Sequence, residues 1–277
     1  MTAPVRRSEL VCPGHSMKMM TKAAASAADE VIFDLEDACP PAKKVEARGL
    51  VAQALQTLEF TGEKVKAYRI NAVGTPWWKE DLTIAAHAQV VVVPKVKSAD
   101  EVRAVLDLLP EGVGLEVLIE NAPGLLKAYE IAQVPGVSSL IFGVADFAAD
   151  LGARDFKEED FGYARAQILV AARAAGVHAI DSVTVQYQDP ALTLRDAQRS
   201  ARMGYDGKWA IHPSQLEPIH TAFTPTPDEI LAAARVVQAY EAAGRGAIEL
   251  DGEMVDEATV AVAQKRLDVA RRAGLIE

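Results

Sequence analysis

The sequence predicts an α/β fold, a (β/α)8 barrel of the TIM type with a C-terminal helix–hairpin–helix extension. Eight short apolar runs occur along the chain, most of them followed by a stretch of helical periodicity. The length of 277 residues suits one such barrel. Polar residues collect where the apolar runs end, which is where barrel enzymes build their active sites.

The predicted strands are followed in order by predicted helices. The strands cover residues 8–12, 31–37, 66–72, 90–96, 115–121, 139–146, 178–183 and 207–213. The helices cover residues 17–28, 43–58, 99–109, 125–132, 161–175 and 192–203. Gly176 and Gly204 follow two of these helices, at the position where a glycine commonly ends a helix.

Two of these runs end in carboxylates, and they form one βαβ unit. Glu120 closes the fifth run and Asp146 closes the sixth, with residues 125–132 as the helix between them. Consecutive strands of a βαβ unit are parallel neighbours, so we expect both carboxylates at one edge of the sheet. A single carboxylate there is more often a helix cap, but a convergent pair favours a site for a hard cation such as Mg²⁺.

A doubly wound open sheet is the alternative fold. It would call for a glycine-rich phosphate-binding turn after an early strand, and the sequence has no G-x-G-x-x-G pattern. Residues 13–16, Pro-Gly-His-Ser, form a turn with a polar helix start that could still hold a phosphate. We therefore favour the closed barrel.

The last part of the chain is predicted to be a separate extension, so residues 1–223 form the barrel and residues 224–277 the extension. Thr226, Pro227 and Glu229 have the spacing of a capping box at the start of a helix. Asp251 and Gly252 predict the tight turn of a hairpin, before a final helix from residue 257. The extension is too small for its own core, so we expect it to pack as a lid on its own barrel or on a neighbouring subunit.

Composition excludes several classes of function. The net charge of −10, with dispersed lysines and arginines, argues against a nucleic-acid partner. No apolar run is long enough to span a membrane, and the N-terminus lacks the apolar stretch of a signal peptide. Cys12 and Cys39 are the two cysteines and form no framework of pairs, which suits a reducing, cytoplasmic location.

An ordered set of short segments resembles one family. The segments are Arg7-Ser8 with Pro13-Gly14, residues 34–38 (DLEDA), 69–71 (RIN), 94–95 (PK), 118–120 (LIE), 143–146 (GVAD) and 207–213 (GKWAIHP). They resemble the citrate lyase β-subunit-like proteins, which include malyl-CoA and citramalyl-CoA lyases within the HpcH/HpaI aldolase group. The resemblance covers nearly the whole chain.

The resemblance implies an Mg²⁺-dependent enzyme acting on an acyl-CoA thioester and a 2-oxo acid. By similarity, Glu120 and Asp146 would bind Mg²⁺, and Arg69 would bind the substrate carboxylate. The alternative for Arg69 is an ion pair with Asp34, Glu36 or Asp37, and both roles can hold. Asp256 matches the position of an aspartate that an adjacent subunit supplies for proton transfer, although here Glu-Ala-Thr follows it in place of a proline-containing run. The family's CoA lyases are homo-oligomers, so a homotrimer or a dimer of trimers is expected.

Other charged residues are further candidates for the site. Glu36 and Asp37 belong to an acidic cluster that needs positive partners, and we expect them to hold substrate or metal-bound water. Lys95 could be a Schiff-base lysine, but the acidic cluster favours a protonated, charge-balancing role. Arg7 is predicted near the exit of the first strand, where a CoA phosphate could bind.

The predicted function is cleavage or formation of a 3-hydroxy-acyl-CoA such as malyl-, citramalyl- or citryl-CoA by a Mg²⁺-dependent carbon–carbon lyase. One alternative is an aldolase of free 2-oxo acids that needs no CoA. Another is a subunit that acts on an acyl-carrier protein only inside a citrate lyase complex. Asp256 in the extension favours an independent homo-oligomer.

Overall fold

The computed structural model describes residues 5–157, 160–244 and 246–277, and the chain divides into two compact units. One unit comprises Arg6–His220, and the other is formed mainly by Thr221–Glu277. Within the described residues, no helix is both long enough and apolar enough to cross a lipid bilayer.

The first unit is a closed barrel, which confirms the predicted fold class. Within the described residues, eight parallel strands pair in sequence order, and the last pairs with the first. They are β1 (Ser8–Pro13), β2 (Glu30–Asp34), β3 (Val65–Arg69), β4 (Val90–Val93), β5 (Gly114–Ile119), β6 (Val137–Phe142), β7 (His178–Asp181) and β8 (Gly207–Ala210). All except β8 end at or directly before a polar residue, a proline or a glycine, which keeps the apolar runs short.

Helices connect successive strands. They are α1 (Met17–Ala24), α2 (Lys44–Thr57), α3 (Trp78–Asp81), α4 (Ala99–Leu106), α5 (Ala122–Leu126), α6 (Ala128–Ala132), α7 (Val144–Asp150), α8 (Gly162–Ala175), α9 (Pro190–Met203) and α10 (Leu216–Phe223). Short 3-10 turns cover Pro41–Lys43, Leu82–His87 and Pro213–Gln215. Gly176 and Gly204 end α8 and α9 in the left-handed conformation, as their positions predicted.

One apolar cluster receives side chains from all eight strands and therefore fills the barrel interior. Its members are Val11, Ile32, Val65, Ala67, Val90, Val92, Leu118, Ile141, Ile180 and Trp209. Side chains two residues apart on a strand face the same way, so Asp34, Arg69 and Glu120 point inward one layer closer to the carboxyl end. Charged residues thus begin where the apolar layer stops.

The second unit contains the expected helix–hairpin–helix. α11 (Pro227–Ala242) begins with the predicted capping box between Thr226 and Glu229. β9 (Ile248–Leu250) and β10 (Glu253–Val255) pair antiparallel, and both turn residues have positive φ, +55° at Asp251 and +84° at Gly252. α12 (Glu257–Arg272) follows and packs on α11 through Ala233, Ala263 and Leu267.

Candidate active site

Glu120 stands directly after β5, at the carboxyl end of the barrel, and is 2% exposed. Its Oε1 accepts a hydrogen bond of 2.6 Å from the backbone N–H of Lys95. Its other oxygen lies against Gly143, the residue that follows β6. The carboxylate is therefore held by the ends of the two strands that flank β5.

Asp146 lies one turn further from the barrel than the sequence suggested. The sixth apolar run was predicted to reach Asp146, but β6 ends at Phe142 and Asp146 falls in the first turn of α7. Gly143 is the N-cap position of α7, so the helix begins as soon as the strand ends. Asp146 is about one-third exposed. Its Oδ1 lies 3.5 Å from Lys95 Nζ, so Asp146 belongs to the same group of charges as Glu120.

Lys95 links the carboxylates of this group. Its Nζ lies 2.6 Å from Glu36 Oε1, 3.0 Å from Asp37 Oδ1 and 3.5 Å from Asp146 Oδ1. Its backbone is left-handed, with φ +56°, a conformation that is unusual for a residue other than glycine. This conformation directs the Lys95 N–H to Glu120 and ends the predicted fourth strand at Val93 instead of residue 96.

Arg69, at the last position of β3, is paired with Asp34 across the sheet. Its Nε and Nη2 donate to the two Asp34 oxygens at 2.7 Å each, a bidentate ion pair. Its Nη1 lies 3.2 Å from Glu36 Oε2. The guanidinium stacks near the Trp209 ring, 5.6 Å from the centroid. Asp34 therefore fixes the plane of Arg69 and leaves one edge turned toward Glu36.

The electrostatics of the group favour a bound cation. Burial raises the pKa of Glu120 to about 8, with Arg69 opposing and Asp146 and Glu36 adding to the increase. Burial likewise raises the pKa of Glu36. A divalent cation among these carboxylates would favour their ionised forms and accept their oxygens, the hard donors that Mg²⁺ prefers. The residues present thus fit a Mg²⁺ ion held by Glu120 and Asp146.

The structure does not bring Arg7 to this group. Arg7 precedes β1, so it lies at the amino end of the barrel, and the prediction that it is near the exit of the strand is wrong. Its guanidinium forms a bidentate pair with Asp29, with contacts of 2.8 and 2.9 Å. Since β1 begins at Ser8, the strand runs away from Arg7.

Asp256 belongs to the second unit, where it caps α12. Its Oδ1 accepts hydrogen bonds of 3.0 Å from the Thr259 N–H and from the Thr259 hydroxyl. The hydrogen bonds from Thr259 lower the pKa of Asp256, so the side chain is a carboxylate at neutral pH. The capping contact is the one that the residue pattern alone would suggest.

Two contributors to the geometry were not predicted from the sequence. Gly143 provides the space for the Glu120 carboxylate, and Trp209 provides the surface beside Arg69. The position of Gly143 directly after a strand could have indicated its role. Trp209 gave no such signal, because a tryptophan inside a strand is ordinarily a core residue.

A family model of the HpcH/HpaI aldolase/citrate lyase type matches residues 7–213, which is the barrel with every residue of this group. The chain belongs to the HpcH/HpaI aldolase/citrate lyase family. The match extends beyond the short segments that suggested it, because it includes all eight barrel strands and most of the barrel helices.

Full-length relatives and a solved structure agree with this membership. The chain is 36% identical to a (3S)-malyl-CoA thioesterase of Cereibacter sphaeroides, over 94% of this chain and 93% of the relative. It is 34% identical to the citrate lyase subunit beta of Leuconostoc mesenteroides, over 99% and 96%. It superimposes on the CitE protein of Mycobacterium tuberculosis, solved with magnesium, acetoacetate and coenzyme A, with a TM-score of 0.83, 33% identity and 98% coverage of both chains.

Proposed function

We propose that this chain is a Mg²⁺-dependent carbon–carbon lyase of 3-hydroxy-acyl-CoA thioesters, such as malyl-, citramalyl- or citryl-CoA. It would cleave or form the bond between an acyl-CoA and a 2-oxo acid. The observation that carries the proposal is the Lys95-centred group of carboxylates, in which Glu36, Asp37, Asp146 and Glu120 all contact one lysine at the carboxyl end of the barrel.

Cleavage of such a substrate places specific demands on the site. The 3-hydroxyl loses its proton, the carbon–carbon bond breaks, and the thioester fragment leaves as an enolate that then takes up a proton. Bound Mg²⁺ would act as a Lewis acid that stabilises negative charge on the substrate oxygens. We assign Glu120 and Asp146 to hold this ion.

Arg69 is our candidate for binding the carboxylate of the 2-oxo acid. A guanidinium offers a planar fork that matches a carboxylate, and Asp34 keeps that fork in one orientation. The edge that now faces Glu36 is the one that a substrate carboxylate would contact. Because Arg69 is 7% exposed, such a contact would be largely shielded from water and correspondingly strong.

Glu36, Asp37 and Lys95 are proposed to organise the substrate side of the site. Lys95 neutralises part of the carboxylate charge, and it remains an ammonium because Glu36 and Asp37 accept its hydrogen bonds. A protonated lysine is not a nucleophile, so these contacts argue against a Schiff base. Lys95 would instead stabilise a substrate anion and hold Glu36 in place.

Asp256 is proposed to exchange the proton at the α-carbon of the acyl-CoA. A carboxylate can remove that proton in synthesis, and its acid form can return it in cleavage. The extension would then act as a lid that carries the residue, on its own barrel or on that of a neighbouring copy in a homotrimer or a dimer of trimers.

The test is a cleavage assay on the purified chain with malyl-CoA and citramalyl-CoA, first with Mg²⁺ and then with excess EDTA. We expect metal-dependent loss of the thioester substrate with equal amounts of 2-oxo acid and a new acyl-CoA. Activity only on free 2-oxo acids would favour the CoA-independent aldolase. Activity only on an acyl-carrier protein would favour the partner-dependent subunit.

Thioester hydrolysis is a second candidate, favoured by the 36% identity to a malyl-CoA thioesterase over nearly the whole chain. Hydrolysis adds water across the thioester and releases free CoA and the hydroxy acid, with no 2-oxo acid. The same assay separates the two reactions if a thiol reagent and a 2-oxo-acid reagent are read in parallel. Thiol release without 2-oxo acid would make hydrolysis the primary reaction.

A further inference from the structure

A second group of carboxylates lies at the opposite, amino end of the barrel. Glu9 on β1, Glu30 on β2 and Glu116 on β5 are all fully buried, and each places an oxygen within 4.8 Å of the others. Glu116 and Glu120 are four residues apart along β5, roughly 13 Å at the rise of a strand. The group is therefore separate from the candidate active site.

These three side chains point into the barrel. Each stands two residues before a member of the interior apolar cluster, namely Val11, Ile32 and Leu118. Because alternate residues of a strand share a face, the glutamates form the layer beneath that cluster. An apolar layer therefore separates them from the carboxyl end, and they are in no position to contact the substrate.

The charges in this layer do not balance. Among the described residues, Arg6 is the cation that contacts the group: its Nη1 donates to Glu116 Oε1, and its Nε lies 3.6 Å from Glu30 Oε2. Glu9 receives a neutral hydrogen bond of 2.7 Å from Trp209 Nε1. Burial raises the pKa of Glu9 and of Glu30, so with one guanidinium against three buried carboxyl groups two of them must be neutralised by protons or by a cation.

Several oxygens in this layer also lack hydrogen-bond partners among the described residues. They are Glu9 Oε1, both Glu30 oxygens, Glu116 Oε2 and the hydroxyl of Ser139. Ser139 is fully buried, pairs in register with Glu116, and faces the interior because Ile141, two residues on, is in the apolar cluster. A buried hydroxyl without a partner is rare and points to a missing ligand.

We propose that this layer is a structural site for a hard divalent cation of the size of Ca²⁺, with Glu9, Glu30, Glu116 and the Ser139 hydroxyl as its oxygen ligands. Ca²⁺ accepts six to eight oxygens at about 2.4 Å, and the three carboxylate oxygens, all within 4.8 Å of one another, are close enough to share one ion. Mg²⁺ demands near-ideal octahedral geometry and usually keeps several waters, so a fully buried layer of protein oxygens suits Ca²⁺ better. The ion would supply two positive charges and would also bind the oxygens that lack a hydrogen-bond partner.

The experiment first removes the candidate Mg²⁺ ligands at the carboxyl end of the barrel, called the upper site. Cation binding to the glutamate layer at the amino end is then observed alone. In the Glu120→Gln/Asp146→Asn chain, Ca²⁺ content is measured after EDTA treatment, prolonged dialysis against CaCl₂ and gel filtration. We expect one Ca²⁺ per chain and a higher melting temperature with Ca²⁺ than with EDTA. Adding Glu30→Gln should weaken Ca²⁺ binding about tenfold or more and remove the thermal effect, because one charged ligand is lost.

Ser139→Ala, added to the same upper-site variant, tests the site with the least disturbance of the fold. It removes a neutral ligand without changing any charge, so a smaller loss of Ca²⁺ affinity is expected. If Glu30→Gln does not fold, the Ser139→Ala comparison decides. The proposal is overturned if the upper-site variant retains no Ca²⁺, which would mean that protons neutralise the glutamates, or if both further variants bind Ca²⁺ as tightly as their parent.

Discussion

The carboxylate of Glu120 occupies the space in which residue 143 would carry a side chain. A Cβ added at Gly143 would lie 2.6 Å from Glu120 Cβ and closer still to its Oε2. Both approaches are shorter than atoms of folded proteins adopt without displacement. Because Lys95 holds the other Glu120 oxygen, the carboxylate is fixed between two strand ends.

Gly143→Ala should therefore displace Glu120 without disturbing the barrel. We expect turnover to fall about 100-fold, the scale of a misplacement by about 1 Å in an active site. The circular dichroism spectrum should be unchanged. The matched control is Gly49→Ala in α2, where nothing lies within 4 Å of the added carbon and activity should be normal. Normal turnover in Gly143→Ala would show that the position of Glu120 does not matter.

Glu120→Gln and Asp146→Asn should each remove most of the Mg²⁺-dependent activity. Both changes keep the side-chain volume but remove a negative charge that the cation requires. A loss of more than about 100-fold would exceed the roughly 10- to 100-fold typical of residues that only orient a ligand. Turnover and Mg²⁺ affinity should be measured together. Near-normal values for either variant would remove that residue from the metal site.

Lys95 should form no covalent adduct with a 2-oxo acid. Burial alone would lower its pKa, but the hydrogen bonds to Glu36 and Asp37 and the charges of Glu36 and Asp146 raise it above the ordinary lysine value. An ammonium cannot attack a carbonyl, so borohydride reduction in the presence of the 2-oxo acid should leave the protein mass unchanged. A reduced adduct on a peptide that contains Lys95 would instead establish a Schiff-base aldolase.

Asp206 should make the barrel less stable in acid. Burial alone would raise its pKa, but hydrogen bonds from His178, Arg173 and the Ala179 N–H lower it to about 2. Because the folded-state pKa lies below the unfolded value of 3.8, the ionised Asp206 stabilises the folded barrel at pH values above 3.8. This stabilisation is lost as the pH falls through about 2. Asp206→Asn should cost roughly 2 kcal/mol at pH 7, and most of the difference should be lost by about pH 2.

Denaturant unfolding at several pH values checks the Asp206 prediction. Asp100→Asn is the control, because its pair with Arg103 is exposed on α4 and contributes little. Its free energy of unfolding should stay close to the wild-type value at each pH. A constant difference between Asp206→Asn and the wild type across this range would contradict the assignment of the low pKa.

Asp256 has two roles that substitution can separate. Asn is a good N-cap, so Asp256→Asn should keep the melting temperature while lowering turnover far more than substrate binding. Asp256→Ala should also lower the melting temperature, because the Thr259 contacts are lost. Normal turnover in Asp256→Asn would leave this residue with the capping role alone.

Mixed oligomers test whether Asp256 acts on a neighbouring barrel. Asp256→Asn and Glu120→Gln chains would be co-expressed with different tags and purified through both. If the aspartate acts in a neighbouring subunit, about a third of the sites in doubly purified trimers, and about a quarter in larger random assemblies, have both residues intact, and activity returns to that level. If it acts in its own subunit, every site carries one defect and the mixture stays inactive.

The sequence by itself determined the barrel and predicted where its candidate site lies. The eight apolar runs, their polar ends and the glycines after α8 and α9 are local signals, because each depends on a few neighbouring residues. The placing of Glu120 and Asp146 at one end of the barrel followed from topology, since consecutive strands of a βαβ unit are neighbours, but Asp146 lies in the first turn of α7 and not at the end of β6. The capping box of α11 and the hairpin turn were equally local, and the structure confirms both.

Only the tertiary structure decided which charges meet. The sequence could not show that Asp34 holds Arg69 in two hydrogen bonds, or that Lys95 bridges three carboxylates, because these contacts join residues far apart along the chain. Arg7 was assigned to the wrong end of the barrel, because a residue that precedes a strand lies at its amino end, opposite to the carboxyl end where the candidate site forms. The inward direction of Glu30 was also hidden, since both faces of a parallel strand are buried and alternation gives no sign of which one faces the barrel interior.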